Sequence, residues 1–304
     1  MLYLALVGFS FAFICLYFLY KTDRNLTLYL RSRKQGYYKD KVVWLTGASA
    51  GIGLGLAKVL SEDGAFLILS SRHKDSLEKA RLSLAKPDKA KVLPCDLNDN
   101  PSLTGIGERA KALFDRPIDV LINNAGISHR SYVETTLDSV NRKIMEVNYF
   151  GAVTITKAVL PDMLERRQGQ IVNINSLSGV ASTPSLAYYC ASKHALMGYM
   201  EALRLEVFCR NVSVVDILPG PVQTEILKKA MRFDGTPRGE SLERIDNGMS
   251  PRRFAEIALA AMTNNVRESW ISANPELGFT YIAKYFPSLS GVILELRQKT
   301  KKRS

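Results

Sequence analysis

Tyr189 and Lys193, in the stretch "YYCASKHAL" from Tyr188 to Leu196, are spaced to share one face of a helix. Tyr188 has only Ser192 at the same offset. A free phenol titrates near pH ~10, too high for easy exchange at neutral pH. A neighbouring ammonium stabilises the phenolate and is expected to bring that value down, which would make the pair a proton-transfer device. Carbonyl reduction needs a hydride, a proton donor and a group that holds the substrate oxygen. Ser176, directly after "QIVNIN", supplies a hydroxyl that can orient such an oxygen at a sheet end. Asn148, in "EVNYFG" within a long helical segment, is expected to bind a water linking Lys193 to solvent. A Tyr-x-x-x-Lys pair or a serine after a strand is commonplace alone; the combination is specific.

A second group of residues suits phosphate. "TGASAGIG" (Thr46–Gly53) follows an apolar run and precedes a helical one. Gly47, Gly51 and Gly53, with Ser49 and Ile52 between and beside them, leave a turn whose backbone N–H groups can approach a pyrophosphate at a helix N-terminus. The next apolar run ends "LSSRHK", where a site for the unphosphorylated dinucleotide would place an acid for the ribose 2′-hydroxyl. Ser71, Arg72 and Lys74 stand there instead. A guanidinium can grip a 2′-phosphate in a fork, so the expected cofactor is NADP(H). Asp96 is expected at the adenine amino group. "NNAG", beginning at Asn123, is expected to let backbone pass close to the cofactor.

These residues need a scaffold. Seven short apolar runs, "VVWLTG", "AFLILS", "KVLPCD", "DVLINNAG", "QIVNINS", "VSVVDILPG" and "SWIS", alternate with helical spacers. Continuous apolar runs of this length suit strands buried on both faces. Together they predict an α/β fold, a Rossmann-type doubly wound parallel sheet of about seven strands spanning residues 41–275. Residues 225–250 are charged, weakly periodic and follow a strand end, so they are expected to form a substrate lid, with apolar contacts from Met231 and Phe233. Residues 276–304 form an apolar segment and a basic tail, able to pack on the body or touch a membrane surface.

The net charge of +12 is concentrated at the two ends. Residues 1–41 and residues 297–304 each contribute +5, leaving an ordinary body, and no nucleic-acid partner is expected. Basic ends beside an apolar segment suit an anionic membrane. "LYLALVGFSFAFICLYFLY" is 19 residues without a charge and ends in aromatics, which predicts a membrane-anchor helix over residues 1–20, followed by a basic connector over 21–40. No Lys or Arg precedes the apolar run and seven follow by Lys41, which places the body on the cytosolic side. The final "KKRS" matches a C-terminal dilysine retrieval pattern for the endoplasmic reticulum. Cys15, Cys95, Cys190 and Cys209 show neither disulfide nor metal spacing, and no metal is expected.

From about Lys41 to Ser272 the chain resembles a short-chain dehydrogenase/reductase. The matching pieces are Thr46-Gly-x-x-x-Gly-x-Gly53, Asn123-Asn-Ala-Gly126, Asn148, Ser176, Tyr189-x-x-x-Lys193 and Pro219-Gly220. The resemblance implies Tyr189 as catalytic acid/base, assisted by Ser176, Lys193 and Asn148. It also implies that Pro219, Gly220 and Thr224 lie at the cofactor, with Thr224 at the nicotinamide carboxamide. "VVWLTGAS", "YCASKHAL" and "PGPVQ" further resemble a membrane-anchored group of this family linked to the endoplasmic reticulum and to NADPH-dependent reduction of steroids, retinoids and other lipophilic carbonyls. Members often pair into four-helix dimers, so a homodimer is an expectation by analogy. A catalytically silent, membrane-tethered binding or scaffold protein is the alternative; such proteins usually lack a catalytic side chain, and none is missing. A nucleotide-sugar epimerase or dehydratase also uses Tyr-x-x-x-Lys, but with a larger C-terminal domain than the roughly 80 residues after Pro219.

Overall fold

The computed structural model describes residues 22–99 and 103–301. All seven apolar runs are strands: β1 (Val42–Thr46), β2 (Phe66–Ser70), β3 (Ala90–Val92), β4 (Val120–Asn123), β5 (Gly169–Ile174), β6 (Val212–Pro219) and β7 (Glu268–Ile271). They form one parallel sheet in the order β3-β2-β1-β4-β5-β6-β7. Successive side chains on a strand point to opposite faces. Val43 and Leu45 therefore join Leu67, Leu69, Val172 and Val215 in one core. Val42 and Trp44 join Ile68, Leu121, Ile171 and Val214 in the other. Trp44 is fully buried, and its indole N–H donates to Ser70 Oγ at 2.9 Å.

Helices cover both faces. In chain order they are α1 (Leu26–Tyr29), α2 (Gly51–Asp63), α3 (Lys74–Leu82), α4 (Ile106–Ala112), α5 (Asp138–Met145), α6 (Gly151–Glu165), α7 (Ala187–Glu206), α8 (Glu243–Asp246), α9 (Pro251–Thr263), α10 (Glu276–Tyr285) and α11 (Pro287–Lys301). Leu56 and Leu60 of α2 and Phe254 and Ala258 of α9 fill the first core. Ile106 of α4, Ile155 and Val159 of α6, and Leu196, Met200 and Leu203 of α7 fill the second. The start of α9 is fixed locally: Ser250 accepts a hydrogen bond from Arg253 N, and Pro251 occupies the first turn, where its missing N–H costs nothing. Between α5 and α6 the helix widens into a π-turn over Glu146–Phe150, with Gly151 N–H bonded to Glu146 O.

The expected anchor over residues 1–20 lies outside the described residues. No helix among the described residues is long and apolar enough to cross a membrane. Residues 22–40, expected as a polar connector, are instead built into the body. Leu28 and Tyr38 are fully buried, and burying a side chain such as Leu28 contributes about 2 kcal/mol. Tyr38 Oη donates to Gln170 Oε1 at 2.8 Å, and the Asp63 carboxylate accepts from Gly36 N, Tyr38 N and Arg33. Arg24 bridges Ile271 antiparallel, with Ser272 N bonded to Asp23 O and Asn25 N bonded to Trp270 O. This segment covers the edge that β7 would otherwise present.

Candidate active site

The strand order reverses between β1 and β4, the point in an open α/β sheet where a crevice forms beyond the carboxyl ends of the strands. A cavity of about 880 Å³ lies there. Its walls include Gly47, Gly51, Ile52, Gly53 and Arg72, and also Ser176, Tyr189, Lys193, Pro219, Gly220 and Thr224. The phosphate-type turn and the proton-transfer pair thus share one space.

The turn after β1 is shaped for close approach. Gly47 has φ +65°, in the left-handed region, and a Cβ there would lie 2.8 Å from Ala125 Cα. A Cβ on Gly53 would lie 2.1 Å from Gly47 O, so the first turn of α2 folds back onto the loop only because that atom is missing. Asn124 fastens the arrangement from β4: its Nδ2 donates to Thr46 O at 2.9 Å and to Gly47 O at 3.2 Å. Thr46 Oγ1 in turn accepts from Asn124 N and Ala125 N. After β2, Ser71 Oγ is buried without a hydrogen-bond partner, beside the exposed Arg72. A cradle that a Cβ would fill and a guanidinium at the rim fit the phosphates of a dinucleotide.

Tyr189 stands in the first turn of α7, and Lys193 follows one turn later, with Nζ 5.9 Å from the phenol ring centroid. Lys193 is 4 % exposed and donates to Ile174 O at 3.2 Å. Ser176 leaves β5 in extended conformation, its Oγ accepts from Ser178 N at 3.1 Å, and it lines the cavity with Tyr189. Burial pushes the Tyr189 phenol up to about 12, although the nearby Ser176 hydroxyl works against it. Burial pushes Lys193 down to about 8, opposed by the charge of Asp216. Burial is the largest influence on the phenol, and Tyr189 is held protonated.

The other expected residues divide. Asn148 is fully buried and does not reach the cavity. Its Oδ1 accepts from Ile127 N at 2.8 Å, and its Nδ2 donates to Ile127 O at 2.9 Å and Ser192 Oγ at 3.0 Å. The carboxamide thus clamps the loop after β4 to α7, with one lone pair of Oδ1 still open. Asn123 points to the helix side, donating to Thr156 Oγ1 at 2.9 Å, and its neighbour Asn124 lines the cavity. Asp96 accepts from Asn98 N in the loop after β3, and neither Asp96 nor Ser49 is among the lining residues. Thr224 packs against Gly51 over the glycine turn.

Two contributors escape a reading from spacing alone. Asn175 donates to Lys193 O at 3.2 Å, and its Oδ1 is buried without a partner at the cavity wall. Asp216, 1 % exposed on β6, receives Arg204 at 2.6 Å and Asn173 at 2.9 Å. Burial pushes its carboxyl up to about 6. The signal for Asp216 is an acid inside the apolar run "VVDILP".

Residues 225–250 do line the cavity, through Ile226, Leu227, Met231 and Arg244 among others. They are tied to the loop after β4 by Met231 N to Ser128 O and Arg130 N to Met231 O. Met231 is buried against Val140, Ile144 and Tyr188, whereas Phe233 is half exposed on the outer side. His129 is fully buried at this junction, its ring 5.4 Å from that of Tyr188 and both its nitrogens unpartnered. Burial pushes it down to about 4, so it is neutral at physiological pH.

A family model described as short chain dehydrogenase matches residues 41–234. The human protein "Dehydrogenase/reductase SDR family member 7" is 39% identical over 279 residues, covering 88% of this chain and 82% of its own. The bovine member 7B is 34% identical, covering 90% of this chain and 86% of its own. Among solved structures, a short-chain dehydrogenase from Streptomyces avermitilis has a TM-score of 0.71 at 24% identity, over 88% of this chain and 100% of that one. A short-chain dehydrogenase from Sphingobium yanoikuyae in complex with NADPH has a TM-score of 0.68 at 24% identity, over 85% of this chain and 95% of its own. These two share the fold. The fold, the cavity at the strand crossover and the extent of the sequence match together establish that this chain belongs to the short-chain dehydrogenase/reductase family, whose members are nicotinamide-dependent oxidoreductases.

Proposed function

We propose that the protein is an NADPH-dependent reductase, reversible in principle, of lipophilic ketones and aldehydes such as steroids or retinoids, working at the endoplasmic reticulum membrane with its body on the cytosolic side. The supporting observation is the meeting of Arg72, the glycine turn, Ser176, Tyr189 and Lys193 in one cavity. Arg72 stands where an acid would repel a 2′-phosphate, and the similar Sphingobium protein was solved with NADPH. The uncharged 19-residue stretch and the basic ends support the membrane location.

Arg72 with Ser71 would hold the 2′-phosphate, the backbone of Gly47–Gly53 the pyrophosphate, and Lys193 the nicotinamide ribose hydroxyls. When bound, the reduced nicotinamide supplies the hydride to the carbonyl carbon. Ser176 orients the carbonyl oxygen, its own acceptor capacity partly used by Ser178 N. Tyr189, held protonated by burial, gives its proton to the oxygen as negative charge develops there. Lys193 is steadied by Asp216, Ile174 O and Asn175; its ammonium stabilises the phenolate left behind until that is reprotonated.

The test is turnover of a panel of ketones and aldehydes by the purified full chain with NADPH and with NADH. Wild type is expected to prefer NADPH. Arg72→Asp should lower kcat/KM for NADPH by about tenfold to a hundredfold, the worth of a charge-assisted phosphate contact, with NADH little changed. An unaltered preference for NADPH in that variant would refute the cofactor assignment.

A further inference from the structure

Helices α10 and α11 serve the cavity and the surface at once. Phe279 and Thr280 of α10, and Ile293, Leu294 and Arg297 of α11, are part of the cavity wall. On the outer side Leu289, Val292, Ile293 and Leu296 are 52%, 52%, 36% and 57% exposed. Their spacing of i, i+3, i+4 and i+7 places them on one helical face, while Ser290, on the flank of that face, is buried. Tyr285 and Phe286, exposed between the two helices, extend the same apolar surface. Six large apolar side chains in one continuous outward stripe are unusual for a face in water. Lys284, Arg297 and Lys299 are exposed on the same two helices, with Glu295 the one exposed acid of α11.

A second observation fixes what lies near this face. Residues 23–25 pair with the carboxyl end of β7, through Ser272 N to Asp23 O and Asn25 N to Trp270 O. α10 begins just beyond that strand end, and Tyr281 of α10 packs on Trp270 with ring centroids 4.8 Å apart. The uncharged 19-residue stretch therefore precedes the point where the chain enters the body beside α10. Residues 23–25 thus lie at the corner of the body that carries this apolar face. A second copy of the chain docked there about a two-fold axis would bring like charges together; an anionic lipid surface would neutralise them.

We infer that α10 and α11 lie in the surface of an anionic membrane, with the Leu289–Val292–Leu296 face among the lipids, so that the cavity takes its substrate directly from the bilayer. Ile293 belongs to both the stripe and the cavity wall, which makes a continuous apolar path between them. The docking half stands on the surface alone; the entry half rests on the reading of the protein as a reductase of lipophilic carbonyls.

The experiment places a tryptophan at Val292 (Val292→Trp) in the full chain, with Leu205→Trp, exposed on α7, as control. Both are reconstituted in vesicles of phosphatidylcholine with a minor share of phosphatidylserine, the acyl chains brominated near the headgroup. Quenching of the tryptophan at 292 and none at 205 is the expected result. Equal emission from both, with or without bromine, overturns docking whatever the activity proves to be. Concentration-dependent protection of position 292 together with a dimer in light scattering would assign the face to a second copy and likewise overturn it. For entry, Leu289→Asp/Leu296→Asp should raise the apparent KM of a vesicle-borne lipophilic ketone about tenfold, leaving NADPH affinity and turnover of a small water-soluble aldehyde intact. Equal KM values for the vesicle-borne ketone would overturn entry from the bilayer.

Discussion

At the scale of single residues, Lys193 joins two demands that pull apart. It must be buried to stand under Tyr189, and it must be charged to hold ribose hydroxyls and stabilise a phenolate. Burial leaves it near pH 8, with Asp216 as the nearest source of opposing charge. A dinucleotide's phosphates would favour the ammonium, so cofactor binding above that pH must take up a proton. NADPH affinity, followed by fluorescence titration from pH 7 to 10, should therefore weaken as the pH rises past about 8. Asp216→Asn removes the charge that supports Lys193, so the weakening should begin at lower pH. Affinity that is flat across the whole range in both proteins would contradict this assignment. The same variant leaves Arg204 without its carboxylate, at a cost of about 1–3 kcal/mol in stability measured by denaturant unfolding.

At the scale of elements, the glycine turn and the lid junction make separate predictions. Gly53→Ala would set a methyl against Gly47 O, and the loop must move to admit it. Overpacking of this kind costs about 1–3 kcal/mol, and NADPH affinity should fall about tenfold while the seven-strand core persists by circular dichroism. His129, neutral and unpartnered beneath the lid, binds its proton less well folded than unfolded. Stability must then fall as pH drops from about 6.5 towards 4, by about 2–3 kcal/mol from this residue. His129→Phe keeps a ring against Tyr188 and should flatten that part of the pH profile in urea unfolding; an unchanged slope would remove His129 from the account.

The strands were legible in the sequence because a parallel sheet covered on both faces requires unbroken apolar runs, and "VVWLTG" or "VSVVDILPG" has no other use. Tyr189, Lys193, Ser176 and the glycines were legible through fixed spacing within one element. Pairings across elements were not. The hold of Asn148 on the loop after β4 joins residues from two elements and leaves no mark in the spacing. Alternation along the end of β4 decides that Asn124, and not Asn123, faces the cavity. The stretch 22–40 reads as a linker because it is rich in Lys and Arg and its apolar residues show no sustained periodicity.

At the scale of the whole molecule, charge and apolar surface are both segregated. The excess of Lys and Arg lies at the two ends of the sequence, and the apolar stripe of α11 lies beside the cavity. Protease accessibility of the C-terminal tail in sealed microsomes follows from this arrangement: the tail should be cut without detergent, and protection would place the body on the luminal side. The account depends above all on proton transfer at Tyr189. The most direct measurement is carbonyl-dependent NADPH oxidation by the full chain and by Tyr189→Phe, with NADPH binding titrated in parallel. Turnover should fall by about a hundredfold to ten-thousandfold with NADPH affinity retained. A variant that binds NADPH and reduces the same carbonyls at the wild-type rate would contradict the account.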